Sequence, residues 1–372
     1  MHFFSAVLIP FFTEWGKIEF GTIMLLQAWF MFCVFILEIP TGALADYLGR
    51  KKTMGLAAIL NAAAAITYVT SPTILVFVVA EFLFAAAVSL FSGAKEAFVY
   101  DTLKSIKKES QSKPIFGKMD SMHLLGMMVG ATGGGLIASQ FGITAPMLFT
   151  IIPIMIAFII SLTFTEPLLE KKQEVKNYLK IIQESVNYFR HHQALKQLTV
   201  NMIFIHVTCF LLIWMYQLLL QQLNVDIALF GFVHTALIVS QIAISSNFLT
   251  VEKILGGKKK TLFFMGIIPG IMFILLGTTN EFFIILPAML LITGFGLTRR
   301  TLYTSYFNKH IPSDTRATVL SSVSMVLRFA MIIANIAIGF LVNYSLQVAF
   351  VVLGVLIVTF SLVHSVYEQH LI

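Results

Sequence analysis

Long apolar stretches, separated by short polar loops, are the feature that most restricts how this chain can fold. After a short apolar start at residues 1–13, they recur at about 20–45, 53–70, 74–103, 116–139, 144–164, 198–220, 227–251, 261–278, 282–307, 317–342 and 346–366. A bilayer core of about 30 Å is crossed by about 20 helical residues. We therefore predict an all-α membrane protein with twelve transmembrane helices, and we expect the first of them to be truncated in this sequence.

The composition excludes a soluble globular protein and several classes of function. Hydrophobic residues make up 58% of the chain and charged residues only 12%, which is too little polar material to cover a soluble surface. The net charge of +7 comes from bases in short loops, so we predict no nucleic-acid partner. We find no nucleotide-binding loop, metal-ligand cluster or catalytic constellation, and we predict no catalytic residue, cofactor or metal. Cys33 and Cys209 are interpreted as small packing residues.

The distribution of bases predicts the topology and the domain boundaries. Clusters at 50–52, 104–118, 171–196, 253–260 and 309–316 all fall on one side of the membrane, and only Lys17 falls on the other. Cytoplasmic loops carry the excess of Lys and Arg, so we predict a multi-pass inner-membrane protein with both termini in the cytoplasm. We expect a monomer in the lipid bilayer, with an N-terminal six-helix bundle (1–165), a cytoplasmic linker (166–196) and a C-terminal six-helix bundle (197–372). The linker is interpreted as an amphipathic helix on the inner membrane surface or, alternatively, as a partner-binding helix.

The two halves echo each other at an offset of about 204–207 residues. The segment Glu252–Lys260 stands where a second copy of the first basic loop is expected, and the pair at 95–96 corresponds to the pair at 299–300. Internal repeats of this kind are typical of secondary transporters. This internal repeat predicts two pseudo-symmetric six-helix bundles.

The first basic loop carries the most specific motif in the chain. It runs from Gly42 through Asp46 and Gly49 to Arg50 and the lysines at 51 and 52. This pattern resembles the loop between the second and third helices of the major facilitator superfamily, although Tyr47 stands where that family usually has a base. The resemblance covers nearly the whole chain and implies a transporter that works by alternating access.

The resemblance also implies roles for the residues of this loop. Asp46 would cap the N-terminal end of the eleventh helix, and Arg50 would pair with an acid at the inner end of the fourth helix, where Asp101 stands. Both contacts would form when the inner gate is closed and break when it opens. The predicted gating residues are Gly42, Asp46, Gly49, Arg50, Lys51 and Asp101.

Ionisable residues inside apolar stretches are candidates for function, because a charge in hydrocarbon is costly. Arg328, near the middle of its stretch, would bind an anionic substrate group or pair with a coupling carboxylate, or it would tie helices together. Glu81 and Glu38 are candidate proton carriers, with a purely structural role as the alternative. His123 could titrate near neutral pH or be a packing residue.

Possible roles can also be given to two further sets of residues, from the predicted helices on which they lie. Trp214 and Gln217 could line a substrate cavity or pack at the membrane interface. Gly126, Gly130 and Gly134 would allow close helix packing. Their run resembles the glycine-rich fifth-helix motif of proton antiporters in the superfamily, with Ala131 in the place of that motif's proline.

These observations predict a secondary transporter that moves a small molecule, with protons as the coupling ion. Our first choice is efflux of an amphipathic compound, because flexible Met and aromatic side chains tolerate varied ligands. Uptake or exchange of an anionic metabolite is the alternative that Arg328 favours. A membrane scaffold or receptor that keeps the fold without transporting is the third.

Overall fold

The computed structural model describes residues 2–167, 192–311, 316–364 and 366, and the regular structure in these residues is entirely helical. Three short helical turns over residues 3–15 form what we call the N-terminal segment. The next helices are α1 (Phe20–Leu48), α2 (Arg50–Tyr68), α3 (Ile74–Ser105), α4 (Ser112–Phe141) and α5 (Ala145–Leu162). From residue 193 onward come α6 (Gln193–Phe210), α7 (Leu212–Gln222), α8 (Ile227–Ser246), α9 (Phe248–Leu255), α10 (Lys258–Leu276), α11 (Phe282–Leu291), α12 (Thr298–His310), α13 (Arg316–Tyr344) and α14 (Leu346–Val363).

The helices have the length and surface that a membrane requires. Ten stretches of the described residues are long and apolar enough to cross a bilayer. The helix α2, which we predicted as a span, is not among these ten, and it begins with three basic residues. Large apolar side chains lie on the outside, such as Phe283 at 88% exposure and Val363 at 81%. The prediction of an all-α membrane protein is confirmed.

The chain divides into two compact units. The first comprises residues 1–175 and 226–235, and the second comprises 176–225 and 236–372. In the first unit, α2 packs against α3 and α5, α1 packs against α3, and the N-terminal segment packs against α4 and α5. In the second unit, α10 packs against α14. The predicted linker falls mainly on residues 168–191, which lie outside the described residues.

A glycine with a positive φ angle precedes equivalent helices in the two predicted halves. Gly49, with φ of 91°, lies between α1 and α2, and Gly257, with φ of 109°, lies between α9 and α10. Such positive φ angles are accessible to glycine without a Cβ clash. In both places the next helix starts with the same bonds: Thr53 N–H donates to Gly49 O over 3.1 Å, and Thr261 N–H donates to Gly257 O over 2.9 Å. The two turns are 208 residues apart (257 minus 49).

A π-helical segment, Ile292–Leu297, interrupts the path from α11 to α12. It carries two glycines, and a Cβ on Gly296 would collide with the buried thiol of Cys209. The small glycine therefore permits close packing between this segment and α6. Segments of this kind change the register of the residues that follow and are frequent at functional sites.

Candidate functional site

Glu81 is a buried carboxyl group in the first unit. It lies seven residues after the start of α3 at Ile74 and is 1% exposed. Gln27 on α1 donates from Nε2 to Glu81 Oε1 over 2.9 Å, and the Tyr68 hydroxyl is a second hydrogen-bond partner. None of the described Lys, Arg or His side chains forms an ion pair with it. Glu81 is thus held by two neutral groups from two other helices.

Aromatic rings enclose the Tyr68 side of this site. Tyr68 is 3% exposed, and its ring centroid lies 6.2 Å from Phe11, 6.1 Å from Phe12 and 6.4 Å from Phe77. Phe11 and Phe12 belong to the N-terminal segment, whose buried apolar face closes this part of the unit. The surroundings of Glu81 are therefore apolar apart from its two hydrogen-bond partners.

A polar cavity lies between α3 and α4 of the same unit. It has a volume of about 210 Å³ and is lined by Lys95, Glu96, Phe116, Met119 and Asp120. His123 lies near Lys95 and Asp120 and is exposed. The structure thus places His123 beside a charged cluster, and a role in transport stays a prediction.

The predicted pair between Arg50 and Asp101 is present. The Arg50 guanidinium, at the start of α2, forms an ion pair with the Asp101 carboxylate near the end of α3, and their side chains are 18% and 11% exposed. A pair so shielded from water is screened less by salt than a surface pair. Its part in a gate stays a prediction.

Glu166 is a member of this cluster that the sequence did not indicate. Its carboxylate accepts hydrogen bonds from the backbone N–H groups of Arg50 at 2.7 Å and Lys51 at 2.8 Å. Lys51 also donates from Nζ to the Leu162 carbonyl over 2.8 Å. A carboxylate at a helix N-terminus satisfies free N–H groups and favours the helix dipole. Glu166 therefore caps α2 and ties it to the end of α5.

Gly42 and Asp46, two other predicted loop residues, differ in their exposure: Gly42 is half-buried. A Cβ on Gly93 would lie 3.8 Å from Gly42 Cα, so α1 and α3 are in ordinary van der Waals contact there. Asp46 is exposed. Its contact with the eleventh helix stays a prediction.

The glycines of α4 allow two other parts of the chain, the N-terminal residues and α8, to pack closely against this helix. A Cβ on Gly130 would lie 2.8 Å from His2 O, and one on Gly134 would collide with Phe3 O. Gly126 is half-buried. A Cβ on Gly135 would lie 3.0 Å from the backbone N of Gly231, within the part of α8 that belongs to this unit.

A buried arginine is the centre of a polar network in the second unit. Arg299 has no exposed surface and donates to the Leu262 carbonyl over 2.6 Å, to Tyr303 Oη over 3.0 Å and to Asn201 Oδ1. Tyr303 also donates to Asn201 Oδ1. Arg299 Nε is buried and has no partner. The π-helical segment Ile292–Leu297 ends just before α12, on which Arg299 lies.

Arg300, the next residue, has a different environment. It is exposed, and its guanidinium is close enough to interact electrostatically with that of Arg328, which is half-buried. Two like charges in proximity favour an anion between them. The sequence identified Arg328 but not Arg300 as a binding residue.

Gln217, Trp214 and Glu38 are the remaining predicted residues. Gln217 has no exposed surface, and its side chain hydrogen-bonds Tyr216. Trp214 is half-buried with no partner for its buried Nε1, and Glu38 is half-buried on α1. Their roles in binding substrate or protons stay predictions. In the part of the chain that the structure describes, no group of three or more His, Cys, Asp or Glu side chains could hold a metal.

Comparisons with known proteins identify the family. The sequence profile of the Major Facilitator Superfamily matches residues 1–296. An uncharacterised MFS-type transporter of Methanocaldococcus jannaschii is 23% identical over 321 residues, which cover 83% of this chain and 78% of that protein.

Solved structures show the same fold at low sequence identity. The nucleoside transporter NupG superposes with a TM-score of 0.74 at 14% identity, covering 97% of this chain and 93% of that one. A D-xylose-proton symporter superposes with a TM-score of 0.76 at 12% identity, covering 98% and 94%. Because the family profile spans residues 1–296 of 372, this chain belongs to the major facilitator superfamily of membrane transporters.

Proposed function

We propose that this protein couples the movement of a small molecule to protons, and that Glu81 carries the proton. The observation that supports this is the burial of Glu81 with only Gln27 and Tyr68 as partners. An ionised carboxylate is costly to bury without a cation, whereas a protonated one fits between neutral hydrogen-bonding groups. A conformation that admits water to Glu81 would let the proton leave, so release would be linked to alternating access.

The proposed direction is efflux of an amphipathic compound by a monomer in the inner membrane, with both termini in the cytoplasm. The similarity of the α4 glycine run to the antiporter motif supports the direction. The abundance of Phe and Met, 35 and 17 residues, supports a tolerant binding site.

Arg50 and Asp101 are proposed to hold the inner gate closed, together with Asp46. The ion pair between Arg50 and Asp101 supports this, because a pair of this kind can stabilise one conformation and be broken in the other.

Transport of an anionic metabolite is the second candidate. The proximity of Arg300 and Arg328 favours it, because two guanidinium groups can bind a carboxylate or phosphate through charge-assisted hydrogen bonds.

The test is substrate-dependent proton flux in proteoliposomes that contain a pH-sensitive dye. The probes are tetraphenylphosphonium and ethidium as lipophilic cations, and benzoate and gluconate as organic anions. If the protein exchanges protons for a cation, adding that cation should cause proton flux in proteoliposomes that contain the wild type. In Glu81→Gln the flux should fall at least about tenfold, because the amide keeps the shape and the bond to Gln27 but cannot carry a proton.

Glu109→Gln is the matched control, because Glu109 is an exposed acid just before α4; its flux should equal that of the wild type. Proton flux that persists in Glu81→Gln would refute the proposed role. Flux with anions alone, lost in Arg328→Gln, would establish the second candidate instead.

A further inference from the structure

A second cavity lies entirely within the second unit, beside the start of α10. Its volume is about 290 Å³, and the residues that line it are Asn201, Ile205, Lys259, Lys260, Leu262, Phe263, Ser361, His364 and Val366. None of these lining residues is acidic, and two are lysines. The cavity shares no lining residue with the Arg300 and Arg328 pair.

Ser361 lines this cavity and has a buried hydroxyl without a partner. Ser361 is 6% exposed, yet its Oγ has no hydrogen-bond partner. Ser161, at the corresponding end of α5, is equally buried, but its Oγ donates to the Phe158 carbonyl over 2.6 Å. Burying a hydroxyl without a hydrogen-bond partner costs about 1 to 3 kcal/mol of stability. In the structure this Oγ packs against α10, where a Cβ on Gly266 would collide with it, so the hydroxyl donates to a group in the cavity after rotation about its Cα–Cβ bond.

The cavity has a positive electrostatic environment. Lys259 and Lys260 are exposed and lie in the first turn of α10, where the helix dipole is equivalent to about half a positive charge. Asn201 lines the cavity and accepts a hydrogen bond from Arg299, a buried charge whose described partners are all neutral. Two lysines and a helix N-terminus thus border one small space with no described acid on its wall, and the buried charge of Arg299 lies behind that wall, bonded to Asn201.

The first unit shows what such a helix start binds. There, the N-terminus of α2 is capped by the Glu166 carboxylate, which accepts from the N–H groups of Arg50 and Lys51. In the repeat, Lys259 corresponds to Lys51 at the same offset of 208 residues (259 minus 51). Among the described residues, no carboxylate accepts from the N–H of Lys259, the counterpart of Lys51.

We propose that this cavity binds a phosphate group. A phosphate offers enough oxygen acceptors for two ammonium groups, a hydroxyl and backbone N–H groups together. Four of the lining residues, Ile205, Leu262, Phe263 and Val366, are apolar, so the cavity also accommodates a hydrocarbon part attached to the phosphate. The headgroup of an anionic phospholipid and a soluble phosphate compound share this chemistry.

Binding to the purified protein in detergent tests the proposal. The probes are dioctanoyl phosphatidylglycerol, inorganic phosphate and, as a control without phosphate, dioctanoylglycerol, each measured by thermophoresis at constant ionic strength. The double variant Lys259→Gln/Lys260→Gln should bind phosphate compounds at least about tenfold more weakly. Ser361→Ala should bind them about threefold to tenfold more weakly. The matched controls Lys253→Gln and Ser161→Ala should stay within about twofold of the wild type, and the apparent Tm of each variant shows that it is folded.

The outcomes separate the sources of the phosphate. Saturable binding of phosphatidylglycerol alone supports a lipid headgroup, and binding of inorganic phosphate as well supports a site that also takes soluble phosphate. The proposal is overturned if the wild type binds neither, if dioctanoylglycerol binds as tightly as the phospholipid, or if Lys253→Gln loses as much affinity as the double variant.

Discussion

Two neighbouring arginines show that the available hydrogen-bond acceptors determine whether a charged side chain can be buried. Arg299 has no exposed surface and donates to three oxygens, whereas Arg300 is exposed. A guanidinium can be buried only when most of its donors are satisfied. Asn201 and Tyr303 meet this need from α6 and α12.

The first prediction compares conservative changes at these two positions. Arg299→Lys should lower the free energy of unfolding by about 3 kcal/mol, because the ammonium cannot reach all three acceptors and hydrogen bonds to charged groups contribute about 1.5 to 3 kcal/mol each. Arg300→Lys should change it by less than about 0.5 kcal/mol. Thermal unfolding in one detergent at one scan rate measures the difference; equal apparent Tm values for the two variants would contradict it.

The sequence allowed part of the candidate site to be predicted at this scale. Glu81 stood out because a carboxyl group in an apolar stretch is costly, and the structure places it in the interior. Arg299 could not be distinguished from Arg300, since both lie in one stretch and the π-helical segment before them shifts the helical register in a way that the sequence does not show. Asn201 and Tyr303 gave no signal, because neutral polar residues are common in membrane helices.

At the scale of helices, the start of α2 is stabilised from two directions. Arg50 pairs with Asp101 on α3, and the Glu166 carboxylate holds the N–H groups of Arg50 and Lys51. The first contact was predicted from the motif. The second was not, because it joins residues 116 positions apart, and the polar stretch after the fifth apolar run showed no pattern that points to a cap.

The second prediction concerns this cap. Glu166→Ala should free the N–H groups of Arg50 and Lys51 at a cost of about 1 to 2 kcal/mol, so their hydrogen exchange should accelerate about five- to thirtyfold. Glu166→Gln should have a smaller effect, because the amide oxygen still accepts but carries no charge. Exchange measured by mass spectrometry on peptides that cover the start of α2 reports this directly. Glu109→Ala, at an exposed acid, should leave these amides unchanged, and an equal acceleration there would argue against capping.

At the scale of the whole molecule, the repeat was predictable and its details were not. The basic loops at 50–52 and 258–260 start equivalent helices with equivalent glycines, as the echo in the sequence predicted. The predicted first helix is divided into three short turns in the structure. Hydrophobic periodicity does not predict such an irregularity, nor the close packing of this segment against the glycines of α4.

The last prediction is the orientation of the molecule in the membrane, which follows from the side on which the bases lie. Lys108 lies in the base-rich connection after α3 and Thr70 in the connection before it, and both are exposed. Because cytoplasmic loops carry the excess of Lys and Arg, a thiol in Lys108→Cys should face the cytoplasm and one in Thr70→Cys the outside. The native Cys33 and Cys209 are buried, so an impermeant maleimide reports on the introduced thiol. In intact cells Thr70→Cys should react and Lys108→Cys should react only after permeabilisation. The reverse pattern would place the Arg50 and Asp101 pair at the outer face and would remove the basis for an inner gate there.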